Sequence, residues 1–77
     1  MNEEKLNELL CDTFGLDEEE ISQDMSNDTV ASWDSLNHLR LVSALEQEFG
    51  IRLTMEEINS MTSYGKIMEY VGRHLQG

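Results

Sequence analysis

A small all-α bundle is the fold class this sequence predicts, on three observations. Apolar residues recur at three- and four-residue spacing in three separate stretches, the periodicity of helices with one buried face. The first two stretches end on glycines, Gly15 and Gly50, and a capping pattern, Thr54-Met55-Glu56-Glu57, marks a further brief helix. At 77 residues the chain makes one small domain, residues 1–77, with no proline, internal repeat or low-complexity tract. Three main helices and a short one give a four-helix bundle without a sheet.

Residues 3–14 read as the first helix. Leu6, Leu9, Leu10 and Phe14 fall at helical spacing, Glu3 and Glu4 suit the first turn, Asn2 can cap it and Gly15 stops it. Residues 16–34 carry no sustained periodicity and are rich in Asp, Glu, Ser and Asn, pinned by Leu16, Ile21, Met25 and Val30. A connection this long in a compact domain tends to be functional.

The second helix runs from Ser35 to Phe49 and stops at Gly50. At about 100° per residue, Leu41, Val42, Leu45 and Phe49 share a face with His38 at its edge. Asn37, Arg40, Ser43, Gln47 and Glu48 lie opposite or to the sides, and Leu36 falls among them as an apolar side chain on the wet face.

Ile51 to Thr54 is a short extended link, and the capping pattern opens a helix through Ile58 and Asn59. Met61 packs inward. Thr62 or Ser63 caps a last helix with Tyr64, Ile67, Met68, Val71 and Leu75 on its inner face, weakened by Gly65 and Gly72. Tyr64, Tyr70 and the methionines Met25, Met55, Met61 and Met68 read as core, although adaptable methionines can also line a cleft.

Sixteen acids against five bases give a net charge of −11. Nucleic acid and anionic membrane are disfavoured partners, because both need a basic surface. A basic protein partner fits, with electrostatic steering at low salt. No run is long enough to cross a bilayer, and the polar start Met1-Asn2-Glu3-Glu4-Lys5 fits neither a signal nor a transit peptide. One cysteine, Cys11, cannot form an internal disulfide, so a cytoplasmic setting is expected, with Cys11 a small buried or half-buried side chain. The chain is also expected to be a monomer.

The most informative run is Ser32-Trp33-Asp34-Ser35-Leu36-Asn37-His38-Leu39. It places the Ser35 hydroxyl at a helix start after a long polar loop, where unpaired N–H groups and the helix dipole favour a phosphate. The bland reading is that Asp34 or Ser35 only caps the helix. Leu36 is either an ordinary exposed leucine or a partner contact. Trp33 more readily packs the loop onto the bundle than meets a partner.

Other chemistry fits poorly. Asp24, Ser26 and Asp28 have calcium-loop spacing, but the required glycine is missing and Ser35 stands where the closing Glu belongs. Asp17-Glu18-Glu19-Glu20 reads as a solvated, self-repelling run, and no Cys/His cluster marks a metal site. No glycine-rich elbow positions a nucleophile, so self-contained catalysis is not expected.

The chain resembles the acyl carrier protein family over nearly its whole length. The resemblance runs from Phe14-Gly15-Leu16 and Ile21 through Asp34-Ser35-Leu36. It continues across Leu41-Val42-Ser43-Ala44-Leu45-Glu46-Gln47-Glu48-Phe49-Gly50-Ile51 to Tyr70-Val71. It implies a four-helix bundle in which Ser35 carries 4′-phosphopantetheine, added from coenzyme A by a phosphopantetheinyl transferase. Acyl-loading and acyl-using enzymes would be the other partners. By the same resemblance, Asp34 assists the transferase and Leu36 sits beside the attachment point. Asp34, where peptidyl carriers usually have His, points to the acyl branch.

Fatty-acid carriers tend to be acidic two and five residues after the serine. Here those positions are Asn37 and Arg40, while Glu46 and Glu48 remain. Trp33 and His38 look like the Trp-Asp-Ser-Leu-x-His variant of stand-alone carriers in specialised pathways, polyketide-like or sugar-modifying among them. The expected partner-facing set is therefore Trp33, Leu36, Asn37, Arg40, Glu46 and Glu48. The alternative is an unmodified helical adaptor whose acidic face binds or regulates a basic partner.

Overall fold

The first helix, α1, spans Glu3–Phe14 and buries Leu6, Leu10 and Phe14, one residue per turn, with Leu9 packed beside them. The computed structural model describes residues 3–76, so the expected Asn2 cap lies outside the described residues. Gly15 takes a left-handed φ of 67° and ends the helix, with the Leu16 N–H donating to the Cys11 carbonyl at 3.1 Å.

The long connection contains one 3-10 turn, Glu18–Glu20, all exposed. Beyond it the loop is tied to the far end of the chain. Ser26 and Ser63 form an isolated antiparallel bridge, the Asn27 N–H donates to the Thr62 carbonyl at 2.9 Å, and the Tyr64 N–H donates to the Met25 carbonyl at 3.0 Å. Met25 and Trp33 are buried, and Leu16, Ile21 and Val30 are half-buried against the core, as the pins were expected to be.

The second helix, α2, spans Ser35–Phe49 and buries Leu41, Val42 and Leu45, with Phe49 half-buried on the same side. Its C-cap, Gly50, has a φ of 64°, a conformation that costs an L-residue about 1–2 kcal/mol. In the link that follows, Leu53 donates its N–H to the Glu46 carboxylate at 2.9 Å. α3 spans Met55–Ser60 behind a reciprocal capping box. The Glu57 N–H donates to the Thr54 hydroxyl at 3.1 Å, and the Thr54 N–H donates to the Glu57 carboxylate at 2.9 Å. α4 spans Tyr64–Gln76, and Ser63 caps it by accepting the Lys66 N–H at 3.3 Å.

The four α-helices match the expected all-α bundle, with no strand among the described residues. Leu6, Leu10, Leu41, Leu45, Met61, Ile67 and Val71 are fully buried at its centre. Truncating one of these leucines to alanine costs about 2–5 kcal/mol, a large share of a small domain's total stability.

Two side chains depart from the expected core. Leu75 is 44% exposed, because at the end of α4 it is His74 that turns toward a neighbour, its Nε2 lying 3.0 Å from the Glu57 carboxylate. Met55 is 71% exposed as the first residue of α3, whose packing against the core falls to Ile58, with Met61 just beyond the helix.

Candidate functional site

α2 begins where Asp34 turns the chain. Asp34 is extended, with φ −97° and ψ −179°, and its carboxylate accepts the Asn37 N–H at 2.8 Å. Its carbonyl accepts the His38 N–H at 2.8 Å, and the Asn37 side-chain amide donates back to the Ser32 carbonyl at 2.8 Å. These bonds hold the backbone on both sides of Ser35. Ser35 is the first helical residue and is exposed. Its hydroxyl stands at the positive end of a 15-residue helix, where an anion gains about 0.3–1 kcal/mol.

Trp33 is 5% exposed and lies against Phe14 with ring centroids 4.9 Å apart. Its indole Nε1–H donates to His38 Nδ1 at 3.0 Å, and His38 Nε2 lies 2.7 Å from the Ile58 carbonyl oxygen. An indole N–H only donates and a carbonyl only accepts. One neutral tautomer therefore satisfies both contacts: Nδ1 bare, Nε2 protonated. His38 thereby bridges the loop, α2 and α3.

A cleft of about 370 Å³ opens beside Ser35, bordered by His38, Asn59 of α3, Thr62 of the link to α4, Asn27 of the long loop, and Trp33. A larger hollow of about 600 Å³ lies between the end of α1 and the loop, lined in part by Phe14, Leu16, Met25 and Val30. It does not include Ser35.

Of the expected partner-facing set, Leu36 stands 59% exposed and Arg40 is exposed. Glu48 is at the surface but pairs with Lys5 at 2.8 Å, and Glu46 is half-buried, holding the Leu53 N–H. Asn37 is half-buried with its amide turned back to the loop. Trp33 is buried in the core, its remaining edge bordering the cleft beside Ser35.

Sequence reasoning missed Leu39, 56% exposed one turn from Leu36, and the exposure of Met55. The spacing of Leu36 and Leu39, three residues apart on a helix, carried the signal for a small apolar patch. Elsewhere, Thr54 and His74 hold the Glu57 carboxyl below its usual range by hydrogen bonding, the Thr54 backbone N–H foremost. Desolvation and nearby carboxylates push the half-buried Cys11 thiol up.

The bundle thus presents an exposed serine on an aspartate-capped helix start, beside an open cleft. Residues 4–71 match the family model described as the phosphopantetheine attachment site. The chain is 33% identical over 73 residues to an acyl carrier protein of Clostridium acetobutylicum, covering 95% of each. It is 31% identical over 71 residues to an acyl carrier protein of Rubrobacter xylanophilus, covering 92% of this chain and 88% of that one. The chain belongs to the acyl carrier protein family, whose cofactor is 4′-phosphopantetheine. An accessible hydroxyl at a helix N-terminus, bordering an open cleft, fits attachment of that group.

Proposed function

We propose that this chain is a stand-alone carrier, modified at Ser35, that moves acyl groups as thioesters through a specialised biosynthetic pathway. The observation that carries the reading is the exposed Ser35 at the start of α2, held by the Asp34 cap. In the modification, Ser35 Oγ bonds to the β-phosphorus of coenzyme A and the phosphoanhydride bond breaks. Adenosine 3′,5′-bisphosphate leaves, and the hydroxyl proton passes to a base on the transferase. The attached group supplies a thiol on a flexible tether, which raises the effective concentration of cargo at a docked enzyme.

Asp34 is exposed, so oxygen lone pairs not used by the Asn37 N–H remain available to position the transferase or its metal ion. Leu36, with Arg40 one turn on, offers an apolar and a cationic contact to acyl-loading and acyl-using enzymes. Arg40 and Asn37, together with the Trp33–His38 pair, support a dedicated pathway over general fatty-acid synthesis. The protein acts as a cytoplasmic monomer and a cargo-bearing partner, with catalysis supplied by the enzymes it visits. Its charge of −11 suits basic docking surfaces.

The test is intact mass after incubation with coenzyme A and a broad-specificity phosphopantetheinyl transferase. Wild type is expected to gain one phosphopantetheine and Ser35→Ala none. Folded wild type that gains nothing with several transferases would return Ser35 to a helix cap and leave the adaptor reading.

A further inference from the structure

The hollow between the end of α1 and the long loop has no part in the chemistry at Ser35. Phe14, Leu16, Met25 and Val30 line it, and its 600 Å³ falls within the range of ligand clefts, about 300–1,000 Å³. Its walls are tied in place. Gly15 turns the chain out of α1 with a φ of 67°, and the Met25 carbonyl accepts the Tyr64 N–H at 3.0 Å. The Val30 N–H donates to the Ser26 carbonyl at 3.0 Å, and its carbonyl accepts the Trp33 N–H at 3.0 Å. A site already in shape spares its occupant the cost of ordering the loop. Two exposed acids, Glu20 and Asp24, also border it. Glu20 keeps one carboxylate oxygen beyond the one that accepts the Asp17 N–H, and the Asp24 carboxylate makes no hydrogen bond or ion pair among the described residues.

Charge around the hollow says what can enter it. Residues 16–33 carry six acids and no Lys or Arg, whereas residues 35–44 of α2 carry no acid and one Arg, Arg40. The two acids further along α2 are engaged, Glu46 by the Leu53 N–H and Glu48 by Lys5. None of the six loop acids makes an ion pair among the described residues. A basic surface approaching Ser35 is therefore drawn to the loop and not to the first turns of α2.

Resting on the reading of this chain as a carrier that visits basic enzymes, we propose that the hollow is a docking point for an arginine side chain on the partner's surface. The aliphatic stem lies along Phe14, Leu16, Met25 and Val30, and the guanidinium reaches Glu20 and Asp24 at the edge. Arginine suits both halves of the site. Its stem packs on apolar surface while its head stays wet, and its weakly hydrated fork pairs with carboxylates. An anionic group is repelled by the loop, and a purely apolar one leaves both carboxylates unused.

The experiment titrates the full chain at low salt with an acetylated, amidated tetra-arginine peptide and with its citrulline counterpart, which keeps the stem and loses the charge. In NMR spectra the arginine peptide is expected to move the methyl signals of Leu16, Met25 and Val30, and the citrulline peptide to leave them in place. Glu20→Gln with Asp24→Asn should weaken binding about fivefold, whereas Glu18→Gln with Glu19→Gln should change it by less than about twofold. Both pairs remove the same charge from exposed positions, but only the first borders the hollow. Glutamine in place of Glu20 can still accept the Asp17 N–H, so the turn is kept. Equal losses from the two pairs, or shifts confined to the backbone amides of residues 17–20, would reduce the site to diffuse attraction and overturn the proposal. So would the absence of binding. Attachment at Ser35 is judged separately, by the mass gained with the transferase: a chain that binds the arginine peptide but gains no mass loses the attachment reading and keeps the hollow.

Discussion

Removing the indole N–H of Trp33 probes the bridge that closes the seam between α2 and α3. Trp33→Phe keeps a ring on Phe14 but deletes the donor that lies 3.0 Å from His38 Nδ1. A neutral hydrogen bond contributes about 0.5–1.5 kcal/mol. The missing second ring of a side chain only 5% exposed adds roughly 1–2 kcal/mol at about 0.8 kcal/mol per buried carbon. The single substitution should therefore cost about 2–3 kcal/mol, which lowers the melting temperature by roughly 10–20 °C in a domain of this size. His38→Ala removes the acceptor and the Ile58 contact together, at about 1–3 kcal/mol. Because both substitutions delete the same bond, the double variant should be more stable than the sum of the singles predicts, by about 1 kcal/mol. Urea unfolding followed by the far-ultraviolet helical signal measures all four proteins. Additivity within about 0.3 kcal/mol would show that the two side chains do not stabilise one another and would remove the bridge from the account.

Three other perturbations separate surface from structure. Leu36→Ala should slow transferase or partner turnover while changing stability by less than about 0.5 kcal/mol, since the side chain is already 59% exposed; a large fall in melting temperature would make Leu36 a packing residue. Glu57 has a folded-state pKa below the ordinary 4.5, so its stabilising contribution is complete above that value and is lost as pH falls through the lowered one. Glu57→Gln should accordingly flatten the acid side of a stability–pH curve, and an unchanged curve would contradict the assignment. Millimolar magnesium should raise the melting temperature of a domain carrying −11 charges, with no shift arguing that self-repulsion is unimportant.

What could be read from the sequence was local. The limits of α2 followed from Asp34 and Gly50, and its buried stripe from residues one turn apart. The reading failed where a side chain's surroundings come from another element. Periodicity aimed Leu75 inward, but no angle on a helix says whether a neighbour reaches its last turn. Asn37 and Glu46 sit at polar positions, yet one reaches back to the loop and the other forward to Leu53. His38 was hardest: its two partners come from a loop and from a helix 20 residues away, so neither was visible from α2 alone.

The bonds that tie the long loop to the start of α4 also set an order of events during synthesis. Asn27 finds its partner at Thr62, and Met25 finds its own at Tyr64. A chain emerging from the ribosome exposes Ser35 well before it exposes either partner, and residues are added at about 5–20 per second. For that interval the serine is present but the loop leading to it lacks its final restraints. Under the Ser35 attachment reading, a transferase that recognises the restrained loop would act only once residues 62–64 have emerged, so the loop's distant partners would set the earliest moment of modification.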